Sequence, residues 1–200
     1  MNKGVIWDLC SGLGGWSEAF VQAGWTVIRI ENNPDLKHIP HTYCLDVKEW
    51  RTWIEAFPDP DIIVASPPCL DFSLAYHAPK PKAAREGRFH EPDMSILRNC
   101  MKVIDAKNPT WWVVENVMGA SKDFTEFLNK EPTQFIAPFM LWGNFPQLPF
   151  FQNKLKTPKN KNLMSGGGPM SANKRALIPF ELSFELLQTW NQQTSLMEWL

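Results

Sequence analysis

Along the first half of the chain, apolar residues come in short continuous runs, and each run is closed by a polar residue. Gly4-Val-Ile-Trp-Asp-Leu9, Trp25-Thr-Val-Ile-Arg-Ile30, His41-Thr-Tyr-Cys-Leu45, Asp61 to Ala65 and Thr110-Trp-Trp-Val-Val-Glu115 all have this form. Runs of this length, rich in β-branched and aromatic residues, predict strands buried on both faces. Between them the apolar spacing changes to three and four residues, which predicts helices over Trp16 to Ala23 (stopped by Gly24), Lys48 to Phe57 and Asp93 to Ala106. Strand and helix in alternation predict an α/β domain with a doubly wound, mostly parallel sheet. Pro179 to Trp190, with proline at its start, predicts a closing helix. Two stretches carry no such rhythm. Leu74 to Pro92 holds Lys80, Lys82, Arg85, Arg88 and two histidines and predicts a mobile lid. Glu131 to Ala172 is rich in Pro, Asn, Gly and Lys and predicts irregular structure.

Composition narrows this picture modestly. With 200 residues, 44% hydrophobic and 20% charged, the chain has enough apolar material for one folded domain. Twenty basic and 21 acidic residues nearly cancel, so attraction to nucleic acid must come from local clusters, in the lid or at Lys154, Lys156, Lys159 and Lys161. Four cysteines stand singly without a CxxC pair, and four histidines show no ligand spacing, so neither a metal site nor a disulfide framework is expected. The ten tryptophans are expected to pack rather than to stack on bases. The opening residues lack a signal-peptide core and no run of about 18 apolar residues occurs, so the expectation is a cytoplasmic protein without membrane contact. Nothing in the composition points to an obligate protein partner.

Ligands of open α/β sheets bind beyond the carboxyl ends of the strands. The residues standing there are Asp8, Glu31, Asp46, Cys69 and Glu115. The turn Asp8-Leu-Cys-Ser-Gly-Leu-Gly-Gly15 would let backbone approach a ligand closely, although a tight turn without a ligand reads the same way. Glu31 suits both ribose hydroxyls of a nucleoside cofactor, and Asp46 an adenine amino group. Cys69, held by Pro67-Pro68 at the end of a strand, is either a small buried residue or a displayed nucleophile.

Taken in order, Asp8 to Gly15, Glu31-Asn-Asn-Pro34, Asp46, Ser66-Pro-Pro-Cys-Leu-Asp-Phe-Ser73 and Val114-Glu-Asn-Val117 resemble the motifs of C5-cytosine DNA methyltransferases over about residues 4 to 118. The resemblance implies a Rossmann-like fold that binds S-adenosylmethionine. Its cofactor residues would be Asp8, Cys10, Ser11, Gly12, Leu13, Gly14, Gly15, Trp16 beside the adenine, Glu31, Asn32, Asp46, Val47 and Pro67. It implies that Cys69 adds to C6 of a flipped cytosine while Glu115 contacts N3 and the exocyclic amine. DNA would be met by Ser73, Lys80, Lys82, Arg85, Arg88, Asn116, Lys154 and Lys156, and RNA is the alternative nucleic acid.

The chain departs from the family in three places. Leu70-Asp71 stands where a Gln and a small residue usually follow the cysteine. Phe145-Pro-Gln-Leu-Pro-Phe150 resembles the opening of a later motif without its two arginines, which Lys154 or Lys156 would replace only as point charges. The recognition region is short. The expected organisation is therefore a cofactor-binding and catalytic core over 1–118, a reduced target-recognition segment over 119–175, and a closing helix over 176–200 whose approach, from Asn173 to Ser183, returns to the cofactor side. Two other readings stay open: methylation of a tRNA cytosine, and a weakly catalytic nucleic-acid-binding protein.

Overall fold

The computed structural model describes residues 3–149, 174 and 176–197. One seven-stranded sheet runs through it. The strands are β1 (Val5–Leu9), β2 (Thr26–Glu31), β3 (Thr42–Cys44), β4 (Ile62–Ala65), β5 (Trp111–Val117), β6 (Gln134–Ile136) and β7 (Phe139–Asn144), in the order β3-β2-β1-β4-β5-β7-β6. The first five pair in parallel, and β7 runs antiparallel to both β5 and β6. This is the doubly wound, mostly parallel, Rossmann-like arrangement that the alternating pattern predicts.

Successive strand residues face opposite sides, so the sheet sorts its apolar residues into two cores. On one face, Ile6, Val27, Ile62, Val64 and Val113 pack with α1 (Glu18–Gln22) and α6 (Phe180–Met197) through Phe20, Leu182, Leu186 and Trp190. On the other, Trp7, Leu9, Ile28, Ile63 and Val114 meet α2 (Trp50–Trp53), α4 (Ser95–Lys107) and α5 (Ser121–Leu128) through Trp53, Leu97, Val103 and Phe124. Asp8, Arg29, Glu31 and Glu115 keep the register of the α1 and α6 face, so its polar rim lies at the carboxyl ends of the strands. The tryptophans that line these cores are packing residues, as expected.

The described part of each stretch without sequence rhythm holds regular elements. Within 119–149, β6 and β7 complete the sheet after α5, and Leu148 exchanges two backbone hydrogen bonds with the Gln134 side chain at 2.8 and 2.9 Å. Residues 150–173, with Lys154, Lys156, Lys159 and Lys161, lie outside the described residues. The lid forms α3 (Pro79–Arg85), with proline in its first turn, and it buries Ala78 and Ala83. It is a packed flap rather than a free loop.

At the other end of the chain α6 docks on α1. Ser183 Oγ donates to the Trp16 carbonyl at 2.6 Å and accepts from the Ala19 N–H at 3.1 Å. Among the described residues no helix is long and apolar enough to cross a membrane.

Candidate active site

The nucleophile candidate is delivered by β4. Ser66 N–H bonds the Leu9 carbonyl at 3.1 Å, which carries sheet pairing one residue past the strand. Pro67 is buried, its carbonyl accepts from Asn116 Nδ2 at 2.9 Å, and a turn then closes from Phe72 N–H to the Cys69 carbonyl at 3.1 Å. Phe72 is 2% exposed and packs edge-on against Phe124 with ring centroids 5.0 Å apart, so the turn has an apolar anchor. Cys69 itself is half-buried. Burial raises its thiol above the ordinary cysteine value, and the charge of Glu115 raises it further, so the two groups lie within electrostatic reach.

Glu115 comes from the neighbouring strand, where Ala65 pairs with Val114. It is 7% exposed, and burial pushes its carboxyl up to about 7 against a hydrogen bond from Ser66 that lowers it. Trp16 Nε1 donates to Ser66 Oγ at 3.1 Å. At 2% exposure the Trp16 indole lies in the core and orients Ser66.

The glycine turn fits a ligand at one end and the protein at the other. Gly12 has φ +53 and open space where a Cβ would stand, while Ser11 Oγ and Asp8 Oδ1 are buried without a partner. Glu31 accepts the Gly12 N–H through Oε2 and the Asn33 N–H through Oε1, both at 2.9 Å. Leu13 is half-buried and Asn32 exposed beside them. Asp46 caps the next turn, accepting Lys48 N–H at 2.8 Å through Oδ1, which leaves its second oxygen without a bond in that cap. An acidic rim beside an open glycine, with Asp8 Oδ1 and Ser11 Oγ unpartnered, fits the hydroxyl and ammonium donors of a nucleoside cofactor with an amino-acid tail. Burial raises the Asp8 carboxyl to about 7, with Ser17 and Arg29 pulling the other way.

Four other members of the expected cofactor set are built into the protein. A Cβ on Gly14 would stand 2.3 Å from Arg29 Cζ, and one on Gly15 2.4 Å from the Ile178 carbonyl, so these glycines serve internal packing. The second contact brings residue 178 against the glycine turn. Cys10 turns to Cys100, whose thiol contact, followed by burial, raises the Cys10 thiol well above its usual range. Val47 is 4% exposed in the core.

The expected nucleic-acid contacts also divide. Asn116 is 1% exposed and holds Pro67, so it is a staple of the cysteine turn rather than a contact. Lys80 pairs with Asp123 at 3.1 Å, Arg85 stacks 3.8 Å over Tyr76, and Arg88 pairs with Glu86. Lys82 is exposed. Ser73 accepts the Ala75 N–H at 3.2 Å. Asp71, one of the departures from the family pattern, accepts from the Asp93 N–H at 3.1 Å and lies 3.2 Å from His90 Nε2, so it ties the cysteine turn to the base of the flap. Sequence reasoning overlooked Gly119: a Cβ there would stand 2.0 Å from the Phe72 carbonyl, a close approach that a lone glycine after Val-Met hardly advertises.

The family model for C-5 cytosine-specific DNA methylases matches residues 5–135. The chain is 28% identical over 120 residues to Type II methyltransferase M.HgiGI of Herpetosiphon aurantiacus, covering 55% of this chain and 87% of that protein. It is 26% identical over 159 residues to Type II methyltransferase M.NgoFVII of Neisseria gonorrhoeae, covering 73% of this chain but only 38% of that protein. A crystal structure of a proposed DNA modification methyltransferase encoded within an E. coli prophage aligns at TM-score 0.43 and 19% identity, over 64% of this chain and 36% of that one.

Proposed function

The chain belongs to the C-5 cytosine-specific DNA methylase family, and from that premise we propose that it methylates C5 of cytosine in DNA through a bond from Cys69 to C6. The observation that carries the reading is that the Cys69 turn and Glu115 leave the paired strands β4 and β5 side by side, with the Glu115 charge acting on the Cys69 thiol. S-adenosylmethionine, held at Asp8, Gly12, Glu31 and Asp46, supplies an electrophilic methyl group when bound.

Cytosine C5 is a weak nucleophile until C6 is saturated. Attack by the Cys69 thiolate forms the S–C6 bond and moves the ring electrons toward C5 and N3. Glu115, buried and holding its proton to about pH 7, offers that proton to N3 as negative charge develops. After C5 gains the methyl group, leaving the cofactor as its thioether, C5 loses its proton to a base and N3 returns its proton to the Glu115 carboxylate. The electrons return to the C5–C6 bond, the C6–S bond breaks, and Cys69 leaves as thiolate. A paired cytosine is out of reach of a half-buried thiol, so the base must leave the stack or come from a single strand.

The test is transfer of labelled methyl from S-adenosylmethionine to cytosine-containing DNA, with the product located at C5 by bisulfite sequencing. RNA of the same sequence is run beside it. Label on RNA alone would replace DNA as the substrate, and label on neither would sink the reading.

Gly119→Ala is expected to lower kcat about 100-fold, because a methyl group cannot stand 2.0 Å from the Phe72 carbonyl without pushing the cysteine turn aside. Cofactor affinity, measured by calorimetry, should stay near wild type, since the glycine turn lies on other strands.

A further inference from the structure

Arg29 is 1% exposed, set between the buried apolar residues Val27, Ile28 and Ile30 of β2. Its guanidinium reaches four acceptors: Nε donates to Ser17 Oγ at 2.8 Å, Nη1 to the Pro40 carbonyl at 3.0 Å, and Nη2 to the Gly14 carbonyl at 3.0 Å and Glu18 Oε2 at 3.1 Å. Ser17 passes the chain on by donating to Asp8 Oδ2 at 2.7 Å. Two residues further along the same face of β2, Glu31 takes the Gly12 N–H. One strand thus grips the turn at both ends, by the N–H of its open glycine and by the carbonyl of its buried one.

Burying a guanidinium is costly, and an apolar side chain of similar volume would fill the site with less penalty. The cost has a local return. Cys10, Gly12 and Gly14 all have positive φ, at 56°, 53° and 77°, and a stretch with so much backbone freedom would otherwise sample many shapes. Fixing it before a ligand arrives removes the ordering cost from binding. The fit is mutual, because the guanidinium occupies the space a Cβ on Gly14 would need.

We infer that Arg29 is a positioning residue for the cofactor: it holds the glycine turn in its binding shape while touching no ligand itself. This rests on the reading of that turn as the S-adenosylmethionine site. The experiment measures S-adenosylhomocysteine affinity by calorimetry, and steady-state kinetics with both substrates, for wild type, R29K and Glu18→Ala. Lysine keeps the charge beside Asp8 but cannot reach all four acceptors. R29K is therefore expected to raise the cofactor Kd and KM about 10- to 100-fold, with kcat at saturating cofactor and KM for DNA close to wild type.

Glu18→Ala removes a partly exposed arm of the same network and should raise the cofactor KM about two- to fivefold without loss of folding. Unchanged cofactor affinity in both variants, or a parallel fall in kcat and DNA affinity in Glu18→Ala, would overturn the inference. Wild-type protein that binds no S-adenosylhomocysteine would overturn the functional reading first, which keeps the two failures apart.

Discussion

Cys69→Ser is expected to slow methyl transfer by on the order of 10³-fold or more while leaving cofactor binding near wild type. The serine hydroxyl is nearly the same size and would sit in the same turn, held by Phe72 and by Asn116 on Pro67. What it lacks is acidity. Even with burial and Glu115 pushing it upward, a thiol yields its anion far more readily than an aliphatic hydroxyl. A second measurement reads the covalent step directly. DNA with 5-fluorocytosine at the target cannot lose a proton from C5 after methylation, so wild-type protein should remain attached to it through denaturing electrophoresis. Cys69→Ser should leave no such band. An adduct that survives the substitution would mean that another residue attacks C6.

The second large effect concerns pH. Glu115 has to hold a proton and Cys69 has to lose one, yet burial sets the carboxyl near 7 and drives the thiol above its ordinary value. The productive pair therefore has the higher-pKa group ionised and the lower-pKa group neutral. Between the two values its population is constant, because each proton lost by Glu115 offsets the growing thiolate fraction. The log of the wild-type rate should rise with pH until about 7 and then flatten. Glu115→Gln should be slower by about 10²- to 10⁴-fold and should keep climbing above pH 7, since only the thiolate then titrates. Removing the neighbouring charge also lowers the Cys69 thiol, so the climb ends at a lower pH than it otherwise would. Identical profile shapes for the two proteins would refute the assignment of Glu115.

The same carboxyl shapes stability. Its folded value, about 7, lies above its ordinary 4.5, so the folded state keeps a proton that the unfolded chain has lost. Stability is greatest below 4.5 and falls as pH rises to about 7, by on the order of 3 kcal/mol for this group. Asp8 acts in the same direction from 3.8 to about 7. Urea denaturation should find the cofactor-free protein more stable at pH 5 than at pH 8, with the difference reduced in Glu115→Gln.

The strand ends were legible because buried parallel strands are written as continuous apolar runs, so the polar residue closing each run marks a place on the sheet's edge. That reasoning brought Asp8, Glu31, Asp46, Cys69 and Glu115 to one edge without any structure. It could not assign polar partners, which are set by distant packing: Lys80 finds Asp123 across 43 residues and Asn116 finds Pro67 across 49. Gly14 and Gly15 look like Gly12 in the sequence, and only the approach of Arg29 and Ile178 separates them. One signal was present and unused. A single arginine inside Thr-Val-Ile-Arg-Ile is anomalous in a buried strand, and the anomaly was the network itself. Strands β6 and β7 stayed hidden because β6 has only 3 residues and Pro132, Pro138, Pro146 and Pro149 punctuate the stretch that holds both.

The docking of α6 has a bearing on how the molecule comes into being. The family match stops at residue 135, yet the first helix is bound by a serine 164 positions away from Ala19. On the ribosome, the face made by Ile6, Val27 and Val64 emerges early and has only part of its cover, from α1, until Leu182, Leu186 and Trp190 have been synthesised. The cofactor turn borders that face, so the earliest part of the site to be translated is among the last to be finished. For that interval a nascent chain with every recognisable motif in place would still expose part of its apolar core.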